Sequence, residues 1–408
     1  MNIYLVSLNY SPELTGIGKY NGEMAPWLTD HGDQVTVFCA PPYYPEWKVH
    51  TSYSSFCYSV SFEDGVCVTR CPLYVPSQPS TIKRLLHLAS FAFTSALALF
   101  TKLFKRPDVV FVVEPTLFAT PATLLFSKLV GAKSVLHIQD YEVDAMFGLS
   151  MASKGSFLES ISYGVERWLM RRFDAVSTIS FSMMAKAKQK GVDPERLVFF
   201  PNWSDTSFVN PNVDGSHLRS AWGVAKSQKV ILYAGNIGAK QGLELVLDAA
   251  ERYLTQPYIR FFLVGSGAFV TELKDMVAQR SLSNIEFKPL QAWEDVPAML
   301  AMADVHLVVQ RKGAADAVLP SKLTNILSAG GNAVITAEAD TELGRLAQEY
   351  PGIYSCVEPE SLDSFCQGLE VELAKSGVNT VARTYAEKNL NKEAILSRYR
   401  EDLLKLVG

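Results

Sequence analysis

Short apolar runs alternate with stretches of helical period along the whole chain, and the pattern starts afresh halfway. Strands are expected near residues 2–8, 34–39, 66–70, 108–113, 133–138, 174–178 and 196–200, with helices near 18–31, 82–104, 116–130, 156–172 and 181–190. After a loop-like stretch from Asp205 to His217 the same grammar resumes. Strands there are expected near 229–234, 259–264, 284–287, 304–309 and 332–335, and helices near 241–254, 268–280, 294–302, 322–329 and 341–348. Val109–Val113, Val135–Ile138, Ile231–Ala234 and Val305–Val309 are apolar throughout, as parallel strands covered on both faces must be. The fold class is therefore α/β, with two Rossmann-like domains whose parallel, doubly wound sheets face across a cleft. The expected boundaries are 1–205 for the first domain, 206–385 for the second, and 386–408 for a helix crossing back to the first. At 408 residues the chain is too long for one hydrophobic core.

Charge narrows the partners. The net charge is −4 and the pI near 5.9. Residues 1–205 hold 18 basic and 18 acidic side chains, so the second half carries the whole excess. Neither half is built to bind a nucleic acid. The six cysteines form no CxxC pair and lie mostly in apolar runs, which fits a reducing compartment and a cytoplasmic protein. The chain opens directly as a buried strand, with no secretory pattern. The longest apolar stretch, Leu85–Phe100, is about 16 residues, short of the roughly 20 a bilayer span needs.

Four loops are candidates for chemistry, because ligands of doubly wound sheets gather at strand carboxyl ends. The first strand runs through Asn9-Tyr10-Ser11-Pro12-Glu13 to Gly16 and Gly18 at a helix start, where backbone N–H groups meet phosphate or sugar oxygens. A dinucleotide fingerprint would place the first glycine immediately after the strand and an acid after the next strand; neither holds. The strand ending at His137 leads into Gln139, Asp140, Glu142 and Asp144. No Asp-x-Asp occurs, and Asp140-Tyr141-Glu142 is a poor metal clamp, so no metal or other cofactor is expected. Gly235-Asn236-Ile237-Gly238-Ala239-Lys240 is strand, glycine loop and cation, and Gly265-Ser266-Gly267 repeats the device one strand later. Finally, Lys322 sits in the first turn of a helix, where a cation opposes the helix dipole unless an anion binds there.

In this order these loops resemble retaining glycosyltransferases of family 4, with the two-domain GT-B fold, and most of all the colanic acid biosynthesis group. Asn9–Glu13, Thr15–Tyr20, Ala40–Trp47, His137–Tyr141, Pro201–Ser204, Gly235–Gly238 and Leu319–Leu323 carry the resemblance across essentially the whole chain. It implies that Gly16 and Gly18 face the donor diphosphate and sugar. Asn236, Lys240 and Lys322 would hold the diphosphate, with Gly235 and Gly238 shaping the loop and Ser266 and Leu290 near base or ribose. His137, Gln139 and Asp140 would stand at the catalytic point, either His137 or Gln139 filling the place of the family's catalytic histidine. Where relatives carry two glutamates separated by seven residues, this chain has Ala317, beside Asp316, and Asn325.

The resemblance also implies a nucleotide-sugar donor, GDP-fucose first and UDP-sugars next, and a polyprenyl-diphosphate-linked saccharide acceptor. Residues 82–106 form an apolar helix with basic ends, suited to an anionic membrane surface, so a peripheral place on the inner face of the cytoplasmic membrane is expected. Two other readings share the architecture: a sugar-nucleotide epimerase, and a catalytically silent nucleotide-sugar-binding protein.

Overall fold

The computed structural model describes residues 1–408 apart from 14–15, 45, 79, 116, 149–156 and 314–319. It divides into two compact units, Met1–Pro201 with Leu396–Gly408, and Asn202–Ile395.

Unit 1 is built on an eight-stranded sheet: β1 Asn2–Val6, β2 Gln34–Cys39, β3 Ser59–Glu63, β4 Val66–Arg70, β5 Val109–Glu114, β6 Lys133–Ile138, β7 Ala175–Thr178 and β8 Leu197–Phe199. Their spatial order is β3-β4-β2-β1-β5-β6-β7-β8, and every pairing is parallel except β3 with β4. The order therefore reverses between β1 and β5. All six residues of β5 are buried, including Glu114, because helices cover both faces.

Unit 2 repeats the plan with β9 Lys229–Ala234, β10 Ile259–Val264, β11 Ile285–Lys288, β12 Val305–Val308, β13 Ala333–Thr336 and β14 Ser355–Val357. The order β11-β10-β9-β12-β13-β14 is parallel throughout and reverses between β9 and β12. In both units that reversal opens a crevice above the strand ends.

Several elements differ from the sequence expectation. Strand β3 was not expected: its alternating, mostly exposed residues are too polar to register as a buried strand, yet Asp64 and Gly65, with φ of 49° and 78°, turn it into a hairpin with β4. The short edge strand β14 and the helices Glu142–Gly148, Ser216–Ala221 and Leu362–Leu373 were likewise absent from it. The apolar helix is longer than the 16-residue run, spanning Thr81–Phe100, 20 residues. By length and composition alone Ile82–Phe100 is apolar enough to cross a membrane. Its inner face belongs to unit 1: His87, Phe91, Ser95 and Leu99 are buried, and Thr94 donates to the Pro72 carbonyl at 2.7 Å.

The units also part at different residues. Residues 202–205 belong with unit 2, where Ser204 pairs with Leu390 and Lys392 through the backbone. The helix Lys392–Val407 belongs with unit 1 from Leu396 onward, ten residues later than expected. There Tyr399 stacks on Phe200 at 3.6 Å and bonds the Ser177 hydroxyl, and Arg400 pairs with buried Asp33 at 2.6 Å.

Candidate functional site

In unit 2 the strand order sets Leu290, Ser266, Asn236 and Lys322 in a row along the carboxyl edge, after β11, β10 and β9 and in the helix Ser321–Ser328 that follows β12. Glycine makes the row possible. A side chain on Gly265 would overlap the Gly235 carbonyl oxygen, and one on Gly267 would overlap that of Ile237; both have φ near 150°. The two loops thus interlock, with Ile237 N–H donating to Ser266 at 2.8 Å and Gly235 N–H to Val264 at 2.9 Å. The N–H groups of Asn236, Ser266 and Gly267 make no hydrogen bond with the described residues and lie at the exposed rim. They are preorganised donors for an anion.

Lys322 lies in this cradle with its Nζ 3.8 Å from the centre of the Tyr233 ring, and 3.0 Å from where a Gly235 Cβ would be. Tyr233 in turn donates its hydroxyl to the Asn236 carbonyl at 2.6 Å, pinning the glycine loop. No carboxylate among the described residues pairs with Lys322, and burial pushes its ammonium down to about 7. A half-buried cation on an aromatic face, at the β9/β12 reversal and without a counter-ion among the described residues, is arranged to receive an anion. Lys240 is exposed on the turn Ala239–Gln241 and is not packed against Lys322. Gly238 accounts for the turn, its N–H donating to Gln241 Oε1. Asn325, one helical turn beyond Lys322, accepts from the Ser204 hydroxyl at 2.8 Å, which leaves its amide NH2 for a ligand. Leu290 and Ser266 are exposed. Asp316 and Ala317 lie outside the described residues.

The sequence reading missed Arg311. Its guanidinium bonds the Ala239 carbonyl at 2.8 Å and Glu244 at 2.6 Å, strapping the exit of β12 to the Lys240 turn.

In unit 1 the outcome is mixed. Gly16, with φ 56° and open space around it, starts the helix Gly16–Asp30 and stays accessible. Gly18 does not: it is buried, and a side chain there would approach Glu13 Cβ to 2.7 Å. Its function is close packing of helix on loop, a correction to the expectation that it faces the donor. Glu13, to which the sequence reading gave no role, is 4% exposed and ties three loop segments. One oxygen accepts the N–H groups of Tyr43 and Tyr44, both at 2.9 Å, and the other the Asn9 amide at 2.7 Å.

His137 is 2% exposed among Phe111, Phe200 and Tyr399's neighbours, with Nδ1 on the Ser177 hydroxyl and Nε2 on the Gln139 amide, each at 2.9 Å. Burial lowers its pKa to about 3. Both ring nitrogens are engaged and burial disfavours the charged ring, so the geometry ties His137 to Gln139 as a hydrogen-bonded pair. Asp140 is exposed beside them. Glu142 accepts the Leu117 N–H at 2.8 Å and is pushed up to about 7, first by burial and then by Glu166 and Asp140. Asp144 is held by Lys190 at 2.9 Å and Lys186 at 3.2 Å. Glu142 and Asp144 thus point to different partners, and no group of three metal-ligating side chains occurs among the described residues.

Residues 15–203 match the family described as glycosyl transferase 4-like domain, and residues 216–369 match glycosyl transferases group 1. The chain is 52% identical over 407 residues to WcaI of Escherichia coli (strain K12), named as a colanic acid biosynthesis glycosyl transferase, covering 99% of this chain and 100% of that one. Among solved structures it resembles the sucrose-phosphate synthase of Thermosynechococcus elongatus, with a TM-score of 0.78 and 15% identity over 99% and 98% of the two chains. It also resembles Anabaena HepE in complex with UDP-glucose, with a TM-score of 0.71 and 17% identity over 99% and 100%. These structural likenesses establish the GT-B fold, and the two domain matches with the full-length relative establish the rest: the chain belongs to the glycosyltransferase family that joins a 4-like domain to a group 1 domain, and is a glycosyltransferase.

Proposed function

We propose that the protein is a retaining glycosyltransferase that moves a sugar from a nucleotide-sugar donor to a lipid-linked saccharide in the assembly of colanic acid or a related exopolysaccharide. The observation that carries the reading is Lys322, with no carboxylate partner among the described residues, within a rim of N–H groups that make no hydrogen bond with those residues, at the β9/β12 reversal. As the glycosidic bond breaks, negative charge grows on the diphosphate, and these fixed donors stabilise it where it develops. Asn236 and Lys240 hold the same group from the glycine loop, and Asn325 receives a ribose hydroxyl. The acceptor hydroxyl attacks on the face the diphosphate leaves and passes its proton to a departing phosphate oxygen, so configuration is retained without an enzyme carboxylate as nucleophile. Lysine and amide charge serve the leaving group in place of a metal, so the rate is expected to be unchanged by EDTA. GDP-fucose is the first donor to try, from the likeness to the colanic acid relative; UDP-sugars follow, HepE having been seen with UDP-glucose. The apolar helix with basic flanks, residues 82–106, rests on an anionic membrane surface, with Ile82, Leu86 and Phe93 outward at 72%, 55% and 66% exposure.

The test is donor turnover with a lipid extract. Screening GDP- and UDP-sugars for a rise in Tm selects the donor, and label from its sugar is then expected in the lipid fraction. Label appearing instead in an epimerised nucleotide sugar, or binding without turnover, contradicts the proposal.

A further inference from the structure

The amino-terminal edge of the unit 2 sheet carries a cavity that the donor chemistry does not use. Its volume is about 290 Å³, and it lies where Lys229 opens β9, Asp304 and His306 stand at the start of β12, and Asn332 precedes β13. The donor cradle is at the other end of the same strands. β9 has six residues, and at ~3.3 Å each the two places stand about 20 Å apart. Ligands of doubly wound sheets gather at strand carboxyl ends, so the fold alone does not call for a cavity at this edge.

The inner wall is polar and incompletely bonded. His306 is 2% exposed, and neither ring nitrogen makes a hydrogen bond with a described residue. Burial lowers its pKa to about 4, so the ring is neutral, one nitrogen a donor and the other an acceptor. A Cβ on Gly331 would come within 2.7 Å of His306 Nε2, so glycine there gives the ring its place in the wall. Asn332, 7% exposed, donates its NH2 group to the Gly377 carbonyl at 3.5 Å, and its Oδ1 accepts nothing from the described residues. Buried polar groups without partners are costly, and these two face one space.

Cations supply the other half. Lys229 pairs with Asp304 at 2.9 Å, which Arg219 also holds at 3.2 Å, and Lys375 pairs with buried Glu372 at 2.7 Å. Three cations against two carboxylates leave one positive charge over. Lys229 and Lys375 both line the cavity, are only half-buried, and keep N–H donors beyond their ion pairs. Acceptors in the wall call for hydroxyl groups, and ammonium donors call for an anion. The volume is at the low end for small-molecule sites, which suits a single sugar ring.

We infer that this cavity is a second small-molecule site, which takes a hexose phosphate with its hydroxyl groups on His306 and Asn332 and its phosphate on Lys229 and Lys375. The inference does not rest on the transfer reaction proposed above.

The test titrates glucose 6-phosphate, mannose 6-phosphate and glucose 1-phosphate into the full chain by calorimetry, with glucose and inorganic phosphate as controls. At least one hexose phosphate is expected to bind at a single site, about tenfold or more tighter than either control, because two linked groups bind as one. Ser376→Trp sets a large ring at the exposed rim of the cavity. Lys229→Met removes a cation while Arg219 still holds Asp304. Neither residue is buried, so folding, read as the urea midpoint, is retained. Ser376→Trp is expected to abolish the binding and Lys229→Met to weaken it about fivefold or more. Lys322→Ala and saturating GDP or UDP are expected to leave it unchanged, since the cradle lies at the opposite edge. Binding by no hexose phosphate, or equal binding by inorganic phosphate, would overturn the inference. So would loss of binding in Lys322→Ala with full-strength binding in both cavity variants, which would put the ligand in the donor cradle. A missing nucleotide-sugar Tm shift beside cavity-dependent hexose phosphate binding would sink the transferase reading and leave this site standing.

Discussion

In the proposed reaction most of the chemistry turns on Lys322, and its environment makes two outcomes measurable. Lys322→Ala is expected to lower kcat by about 10²-fold or more, the usual cost of removing one preorganised donor from a developing anion. The second outcome concerns pH. In the free protein the ammonium titrates at about 7, because burial opposes its charge; a bound diphosphate favours the charged form and raises it toward the ordinary 10.5. Donor binding therefore takes up a proton, and affinity is expected to be greatest below about pH 7 and to fall as pH rises above it. A nucleotide sugar is the right probe, since its diester phosphates do not titrate there. In Lys322→Met the slope is expected to vanish. His137 behaves in the opposite sense. Its folded pKa of about 3 lies below the 6.5 of the unfolded chain, so the unfolded state takes up the proton first. Stability conferred by the neutral ring is complete above about pH 6.5 and lost as pH falls toward 3. Urea unfolding over that range is expected to show a shallower dependence in His137→Gln than in the unaltered protein. The sequence made Lys322 legible because a cation in the first turn of a helix asks for an anion. It could not separate His137 from Gln139, and the structure shows why: both are buried and hydrogen-bonded to one another, so they act as one pair.

At the scale of elements, the interlocked glycine loops were legible as a repeated device on successive strands. Their contact was not: nothing in the spacing says that the Gly265 position lies against the Gly235 carbonyl. Gly265→Ala must displace that loop or adopt a φ of 145° that L-residues rarely take. It is expected to cost about 2 kcal/mol or more in urea unfolding and to abolish the nucleotide-induced Tm shift. The Gly16/Gly18 pair teaches the converse. The two glycines look alike in sequence, yet one is open and the other is pressed on Glu13. Glu13 was legible only as the end of the Asn9–Glu13 motif and its role was not, since only the fold brings Asn9, Tyr43 and Tyr44 around it. Glu13→Gln presents an NH2 group where an acceptor is needed. It is expected to destabilise unit 1 by about 1–3 kcal/mol, read as a lower urea midpoint, because buried donors lose their partner.

Over the whole molecule, the restart of the strand–helix alternation carried the two-domain architecture, and periodicity placed twelve of the fourteen strands among the described residues. The two it missed, β3 and β14, lie at sheet edges, where short length and exposure erase the apolar signature. The central claim is that a nucleoside diphosphate group is bound by the Lys322 cradle of unit 2, and calorimetric titration of GDP and UDP into the purified chain tests it most directly. The account predicts one site, selective for one of the two bases, weakened at least tenfold in Lys322→Ala and unaffected in His137→Gln. Failure of both nucleotides to bind, or equal affinity in Lys322→Ala, would contradict it.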